Sequence, residues 1–238
     1  MPDSSPVSLS ESVSDFVFDP ASVPYQVKFE LMCFNHRDLH IRSLKDNQQF
    51  DDPEGLAEGM GISSAHWSLF GLVWPSALVL SDRMVTFETE GKRVLEIGCG
   101  LAIASLSMHQ RKIDITASDY HPMVERFLRE NVKLNSLPPL PFQTGNWLTE
   151  NPLLGKFDLI IGSDILYEQA HPALLSAFID RHAQPKAEVC IVDPGRGHHN
   201  KFHRAMEILG YTCSTEYLPS QLIQGKTYRG KVLHCDRG

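Results

Sequence analysis

The chain has 238 residues, of which 42% are hydrophobic and 21% are charged. These proportions are typical of a globular protein and exclude collagen-like, mucin-like and wholly disordered chains. The 22 basic and 29 acidic residues give a formal charge of −7. This acidity disfavours a nucleic-acid partner, because neutralising phosphates requires clustered lysine and arginine.

Residues 1–22 are rich in serine and proline, and their apolar residues are mostly isolated, which predicts a flexible N-terminal arm. The first residues, MPDSSPVSLSESVSDF, have neither the basic nor the apolar region of a secretory leader. No stretch of the sequence reaches the roughly 18 apolar residues of a membrane-spanning helix. We therefore expect a soluble, cytoplasmic protein with no membrane partner, and a monomer by default.

Five cysteines lie far apart in the sequence and form no CxxC pair: Cys33, Cys99, Cys190, Cys213 and Cys235. Their odd number and scattered positions argue against a disulfide framework and against a structural zinc knuckle. The sequence therefore predicts reduced, buried thiols.

Residues 23–66 are expected to form an N-terminal extension made of a β-hairpin and a loop. The segments YQVKFELMCF and LHIRSL are rich in strand-forming residues and are separated by NHRD, which predicts two paired strands. The polar residues that follow predict a loop. In the next stretch, residues 67–88, apolar side chains recur at helical spacing, and Pro75 is expected in the first turn of the helix.

Residues 67–238 are expected to form one doubly wound α/β domain. The short apolar runs VLEI, IDITASD, FDLIIGSD and EVCIVD alternate with helical segments, which indicates βαβ units and a parallel sheet buried on both faces. A helix is predicted after Asp119, because apolar residues recur there at i, i+4 spacing behind Pro122. The last two strands, YTCSTEYL and YRGKVLHC, are joined by too few residues for a crossover and should pair antiparallel.

The segment VLEIGCG places an acidic residue, Glu96, at the end of the first of these strands, with Gly98 and Gly100 in the turn that follows. Open α/β sheets bind ligands at such strand ends, and glycines let the backbone approach a bulky ligand. The third glycine of a dinucleotide fingerprint is replaced by Ile103, and the Gly-Lys-Ser/Thr of a phosphate-binding loop is missing. The pattern therefore predicts a non-phosphorylated, partly cationic ligand.

Polar residues also follow the second and third strands. Asp119 stands where a carboxylate accepts hydrogen bonds from both hydroxyls of a ribose, although it is also a candidate cap for the following helix. After the third strand, Asn146 and Trp147 are candidates for polar contacts and an aromatic wall around an adenine. Plain core packing is the alternative for Trp147, since tryptophans are usually well buried.

Four elements in this order, VLEIGCG, SDY, GNW and FDLIIGSDILYE, resemble those of class I S-adenosylmethionine-dependent methyltransferases. The D-x-x-Y spacing from Asp164 to Tyr167 is similar to the signature of family 16, the seven-β-strand protein methyltransferases, many of which modify lysine. VWPSA at 73–77 resembles their cofactor-covering helix. DPGR at 193–196 is similar to the DPGR motif found after the fifth strand in the branch that contains the electron transfer flavoprotein β-subunit lysine methyltransferase. The resemblance covers about residues 64–235.

The resemblance implies a Rossmann-like, seven-stranded, mostly parallel sheet with an antiparallel last strand. It implies in-line transfer of the methyl group of S-adenosylmethionine to a lysine side chain of a protein partner. The implied cofactor-binding residues are Trp74, Glu96, Gly98, Gly100, Asp119, Tyr120, Asn146, Trp147 and Asp164. Many relatives carry a third glycine where Ala102 stands, so we expect a slightly tighter loop that still binds the cofactor.

The implied catalytic residues are Asp164 and Tyr167, which would position the incoming amine; a helix cap and a core tyrosine are the alternatives. A lysine amine has a reference pKa of about 10.4 and must lose a proton before it attacks. The acceptor is left open between Asp164, Tyr167 and water. Arg196 is expected either to contact the substrate or to brace the site through a carboxylate.

Other functions have less support in the sequence. His199 and His203 would share a helix face, but without an HExxH motif or an obvious third ligand no metal is predicted. Base methyltransferases often carry Asn or Asp, Pro, Pro and an aromatic residue where SDILY stands here, which disfavours nucleic acid. A small-molecule substrate beneath a lid formed by residues 45–66 remains an alternative. A cofactor-binding module without turnover is the third hypothesis, disfavoured by the presence of both Asp119 and Asp164.

Overall fold

The computed structural model describes residues 24–223 and 225–238, so the predicted arm at 1–22 lies outside the described residues. The strands are β1 (Val27–Phe34), β2 (Arg37–Leu44), β3 (Val94–Ile97), β4 (Ile115–Asp119), β5 (Phe142–Thr144), β6 (Phe157–Ser163), β7 (Ala183–Asp193), β8 (Thr212–Tyr217), β9 (Gln221–Ile223), β10 (Lys226–Tyr228) and β11 (Lys231–Arg237). The helices are α1 (Leu56–Gly59), α2 (Ser64–Trp67), α3 (Pro75–Met84), α4 (Ile103–His109), α5 (Val124–Leu134), α6 (His171–His182) and α7 (His199–Ile208). Within these ranges, every helix is too short or too polar to cross a membrane.

Seven strands form the central sheet, in the order β5-β4-β3-β6-β7-β11-β8. All neighbours are parallel except that β11 runs antiparallel to both β7 and β8. The predicted fold class, a mostly parallel sheet with an antiparallel last strand and an N-terminal hairpin, is therefore confirmed.

The central strands of the sheet are buried on both faces, and alternate residues of β3 and β6 point to different helices. Leu95 and Ile160 pack in a cluster with α6 and α7. Val94 and Leu159 pack on the opposite face, in a cluster with α3 and α4. This two-sided burial explains why the strands read as continuous apolar runs in the sequence.

The predicted hairpin is present, and it joins the main core. Asn35 and His36 have φ angles of 47° and 61°, the left-handed conformations that a tight two-residue turn requires. The inner face of β2 packs with Trp67 and Phe127 in one buried cluster. The extension is therefore held against α5, although its sequence contributes little to the family resemblance.

Two stretches differ from the expected elements. The helix expected over residues 67–88 covers only Pro75–Met84, because the residue before a proline is driven out of helical conformation and Trp74 is extended at ψ 137°. The stretch 45–66, expected to be a loop, contains the short helices α1 and α2. The connection between β8 and β11 contains a small hairpin, β9 with β10, that the sequence pattern did not predict.

The cysteine prediction is wrong for three residues. Cys213 and Cys235 form a disulfide, because the antiparallel register of β8 and β11 sets them directly opposite each other with Cα atoms 4.1 Å apart. Cys33 is free but exposed on β1. Only Cys99 and Cys190 are free and buried as expected. Pairing across two strands depends on register, which the spacing of cysteines in the sequence does not reveal.

Candidate active site

The residues predicted to form the site lie at one edge of the sheet. Strands β5, β4, β3 and β6 are consecutive neighbours and run parallel, so their carboxyl ends meet at the same edge. The segments that leave these ends carry Trp147, Asp119, Gly98 and Asp164, in that order across the sheet. Fold topology therefore brings together residues that are up to 66 positions apart, from 98 to 164.

The turn after β3 requires glycine at two positions. Gly98 and Gly100 have φ angles of 58° and 51°, which side chains rarely adopt. A Cβ atom at Gly98 would also lie 2.6 Å from Cγ2 of Ile165, and one at Gly100 would lie 2.9 Å from the carbonyl oxygen of Phe70. Ala102 is left-handed as well, at φ 54°, so a glycine at this position would be less strained.

Glu96 is 1% exposed and binds the start of α4. Its Oε2 accepts hydrogen bonds from the backbone N–H of Ser105 at 2.7 Å and from the Ser105 hydroxyl at 2.5 Å. Burial raises the pKa of this carboxyl to about 7, even though both hydrogen bonds from Ser105 favour the charged form. The observed contacts of Glu96 therefore fix the glycine turn against α4. Ser105 was not singled out in the sequence, where it is one serine among several.

Asp119 links the second strand to the glycine turn. Its Oδ2 accepts the N–H of Gly100 at 2.9 Å, and its Oδ1 accepts the N–H of His121 at 2.8 Å. Burial raises the pKa of the Asp119 carboxyl. It does not cap a helix, because α5 begins only at Val124.

Tyr120 connects the site to the stretch 45–66. Its hydroxyl donates to the carbonyl oxygen of Met60 at 2.9 Å, just past the end of α1. A part of the chain that the sequence suggested as a lid is thus tied to the carboxyl edge of the sheet.

Trp147 is half-buried and lies at one end of a row of three aromatic rings. Its ring lies edge-on to that of His171 at 5.2 Å, and His171 in turn lies edge-on to Tyr167 at 4.5 Å. The Trp147 carbonyl accepts a hydrogen bond from Arg181 at 2.7 Å, and Oδ1 of Asn146 accepts the N–H of Leu148 at 2.9 Å. His171 and Arg181 were missed, because on a helix sequence they look like any surface histidine and arginine.

Trp74 precedes α3 and is half-buried. Its indole N–H donates to the carbonyl oxygen of Leu69 at 2.9 Å. The next residue after Leu69 is Phe70, whose carbonyl lies against Gly100. The segment that carries Trp74 therefore packs on the glycine turn.

Asp164 follows β6 in a left-handed conformation, at φ 55°. Its N–H donates to the carbonyl of Val192 at 2.8 Å. Arg196 donates two hydrogen bonds to the Asp164 carboxylate, from Nε to Oδ1 at 2.5 Å and from Nη2 to Oδ2 at 3.0 Å. The Asp164 side chain is 9% exposed. It caps no helix, since α6 begins at His171, and Arg196 takes the bracing role rather than standing free.

Tyr167 is 45% exposed and is not a core residue. Desolvation together with the carboxylates of Asp119 and Glu168 raises the pKa of its phenol to about 12. At neutral pH the phenol therefore keeps its proton and can donate a hydrogen bond.

Comparisons with known proteins identify the family of the chain. The model of the lysine methyltransferase family matches residues 63–207. The mouse (Mus musculus) electron transfer flavoprotein beta subunit lysine methyltransferase is 29% identical over 157 residues, which are 63% of this chain and 60% of that protein. The zebrafish (Danio rerio) protein N-lysine methyltransferase METTL21A is 33% identical over 125 residues, covering 47% of this chain and 56% of that protein.

Among solved structures, the magnesium protoporphyrin IX methyltransferase of Synechocystis PCC 6803, solved with bound S-adenosylmethionine, superimposes with a TM-score of 0.54. It is 14% identical, and the match covers 69% of this chain and 80% of that chain, so it shows a shared fold. The chain spans about 60% of the length of the curated relatives it matches first. With more than half of its residues matched by the family model, the chain belongs to the lysine methyltransferase family.

Proposed function

We propose that the protein is an S-adenosylmethionine-dependent methyltransferase that methylates a lysine side chain of a protein. The observation that carries this proposal is the meeting of Asp119, Trp147 and the braced carboxylate of Asp164 at one sheet edge, in a chain of this family. The relatives described above are named as protein lysine methyltransferases, which supports a protein substrate. Three statements stay predictions from the sequence: that the protein is cytoplasmic, that it is a monomer, and that nucleic acid is not its substrate.

Asp119 and Trp147 support S-adenosylmethionine as the cofactor. Each carboxylate oxygen of Asp119 accepts one backbone N–H, and an ionised carboxylate offers about four acceptor positions, so capacity remains for two ribose hydroxyls. The half-buried ring of Trp147 offers an apolar face to an adenine. When bound, the cofactor supplies a methyl group on a cationic sulfonium, which the carboxylates at this edge favour.

The amine is proposed to bind at Asp164. The two hydrogen bonds from the Arg196 guanidinium fix the plane of this carboxylate. A carboxylate held in this way attracts a lysine ammonium and orients its nitrogen, and alignment is the main contribution an enzyme makes to a displacement reaction.

Of the two side chains that were candidates for accepting the amine proton, Tyr167 is the weaker. With a pKa of about 12 its phenol is protonated at neutral pH, so it acts as a hydrogen-bond donor near the amine. The proton is then taken by Asp164 or by water.

Cofactor binding is tested by calorimetric titration of the full chain with S-adenosylmethionine. We expect one site per chain, and an Asp119→Ala variant should bind at least about tenfold more weakly, since it loses hydrogen bonds to a charged group. The matched control is Asp114→Ala, which removes an exposed carboxylate near the opposite end of β4. Absence of binding to the unmodified protein at high micromolar concentration would refute the proposal.

The substrate is tested by incubating the protein with methyl-labelled cofactor and an extract of its source cell, with the Asp164→Asn variant as the blank. Mass spectrometry should locate label on lysine side chains, and this label should be lost with the variant. Label found only in small metabolites would contradict a protein substrate. It would favour the lid alternative, which is supported by the hydrogen bond of Tyr120 to Met60.

A further inference from the structure

A cluster of two sulfurs and one imidazole lies away from the carboxyl edge of the sheet. His203 on α7 faces the disulfide between Cys213 on β8 and Cys235 on β11. The two sulfur atoms and a ring nitrogen of His203 all lie within 4.8 Å of one another. Cys235 stands four residues along β11 from Lys231, which pairs with the last residue of β7. At about 3.3 Å per residue along a strand, the cluster is therefore roughly 13 Å from the carboxyl edge of the sheet.

The histidine in this cluster is unsatisfied. Nε2 of His203 is buried and has no hydrogen-bond partner among the described residues. Buried polar atoms are nearly always paired in proteins, so an unpartnered nitrogen on a histidine whose ring lies beside two sulfurs needs an explanation.

The donor set fits a thiophilic divalent cation. Two cysteine thiolates and one histidine are a known combination in tetrahedral zinc sites with an open fourth position. Zinc–sulfur bonds of about 2.3 Å place two sulfurs roughly 3.8 Å apart, which side-chain rotation can reach once the sulfurs are no longer bonded. The facing positions of Cys213 and Cys235 on paired strands already hold their Cα atoms 4.1 Å apart.

We propose that reduction of the Cys213–Cys235 disulfide creates a zinc site formed by Cys213, Cys235 and His203. A dithiol reductant gives two electrons and two protons to the disulfide and becomes a disulfide itself. Binding of Zn²⁺ then releases the two thiol protons to solvent, and water takes the fourth position. The disulfide and the bound metal exclude each other, because both use the sulfur atoms of Cys213 and Cys235. Neither state depends on the proposed methyl transfer.

The test compares the full chain in two states, as isolated with the disulfide formed and after reduction with a phosphine that is then removed. Zinc affinity is measured in competition with a chromogenic chelator, and Co²⁺ serves as a spectroscopic probe. We expect one equivalent of metal in the reduced protein, with a thiolate-to-cobalt charge-transfer band, and none in the oxidised protein.

Variants assign the ligands. Cys213→Ser and His203→Gln should each weaken zinc binding by about 100-fold or more, because even changes outside the ligand set cost about 10- to 100-fold. His199→Gln, one turn earlier on α7, and Cys33→Ser, the exposed thiol, are the matched controls and should bind as the unmodified chain does. Circular dichroism of each variant shows whether it is folded.

Two results would overturn the proposal. The first is equal metal binding by oxidised and reduced protein. The second is a folded His203→Gln variant that keeps the affinity and the cobalt spectrum of the reduced chain. If Cys213→Ser fails to fold, His203→Gln decides the question, since it leaves both cysteines in place.

Discussion

Arg196 is the side chain that holds Asp164 in place. Its two hydrogen bonds fix both carboxylate oxygens, whereas a lysine could offer only a point charge. We expect Arg196→Gln to lower kcat by about 10- to 100-fold, the penalty that a small misplacement of a reacting group carries. Arg196→Lys should restore part of this loss.

Steady-state kinetics on the identified substrate and cofactor titration separate a positioning role from a general loss of structure. A positioning role predicts that kcat falls while the cofactor dissociation constant stays unchanged. Equal damage by the Lys and Gln variants, together with weakened cofactor binding, would contradict it.

Glu96 makes stability depend on pH. Burial raises its pKa from 4.5 to about 7, so between these values the folded chain holds a proton that the unfolded chain has released. The contribution of this group to the free energy of unfolding is therefore largest below pH 4.5 and declines as pH rises towards 7.

A Glu96→Gln variant lacks this decline. The free energy of unfolding of the variant minus that of the unmodified chain should rise with pH across this window, by up to about 1.4 kcal/mol per pH unit. Urea unfolding at several pH values measures the difference, and lost hydrogen bonds to Ser105 add only a constant. A difference that does not change with pH would show that Glu96 has the same pKa in the folded and unfolded chains.

The hairpin is fastened to α5 by two asparagines one turn apart, each bonded to both backbone groups of a β2 residue. Asn131 accepts the N–H of Arg42 at 2.7 Å and donates to its carbonyl at 3.2 Å. Asn135 makes the same pair with His40, at 2.8 and 2.7 Å. The first pair is buried, whereas the second is open to water.

This matched pair measures what burial adds to a hydrogen bond. Asn135→Ala should cost about 0.5–1.5 kcal/mol, because water replaces the lost partners. Asn131→Ala should cost about 2–4 kcal/mol, because it leaves two buried backbone groups unsatisfied. Denaturant unfolding of both variants provides the comparison. Equal losses would mean that water reaches the Arg42 backbone after substitution.

The disulfide constrains roughly the last tenth of the chain. Cys213 and Cys235 are 22 positions apart, and closing a loop of this length in the unfolded chain stabilises the folded state by about 3 kcal/mol. We expect reduction in the presence of a chelator to lower the free energy of unfolding by roughly that amount. A Cys33→Ser chain, which keeps the disulfide, should show the same drop. An unchanged free energy would mean that the bond adds strain equal to its benefit.

Much of the site was accessible from the sequence, because each strand end carries its own local pattern. Gly98 and Gly100 were identified because the turn after β3 tolerates few other residues, and both have positive φ angles. Asp164 and Tyr167 were predicted because their D-x-x-Y element resembles the signature of the family. By contrast, Ser105, His171 and Arg181 reach the site from helix positions whose sequence surroundings are ordinary.

The main strands and helices of the sheet and the fold class follow from the chain's own residues, because hydrophobic period and turn chemistry are local properties. The family follows from the resemblance of the strand-end motifs to those of known methyltransferases. Contacts between distant residues do not follow in this way. Three contacts depend on strand register and helix packing: the ion pair of Arg196 with Asp164, the disulfide of Cys213 with Cys235, and the proximity of His203 to that disulfide. Register shifts of one residue leave the sequence pattern almost unchanged but turn every side chain to the other face of the sheet, so only the folded structure fixes these partners.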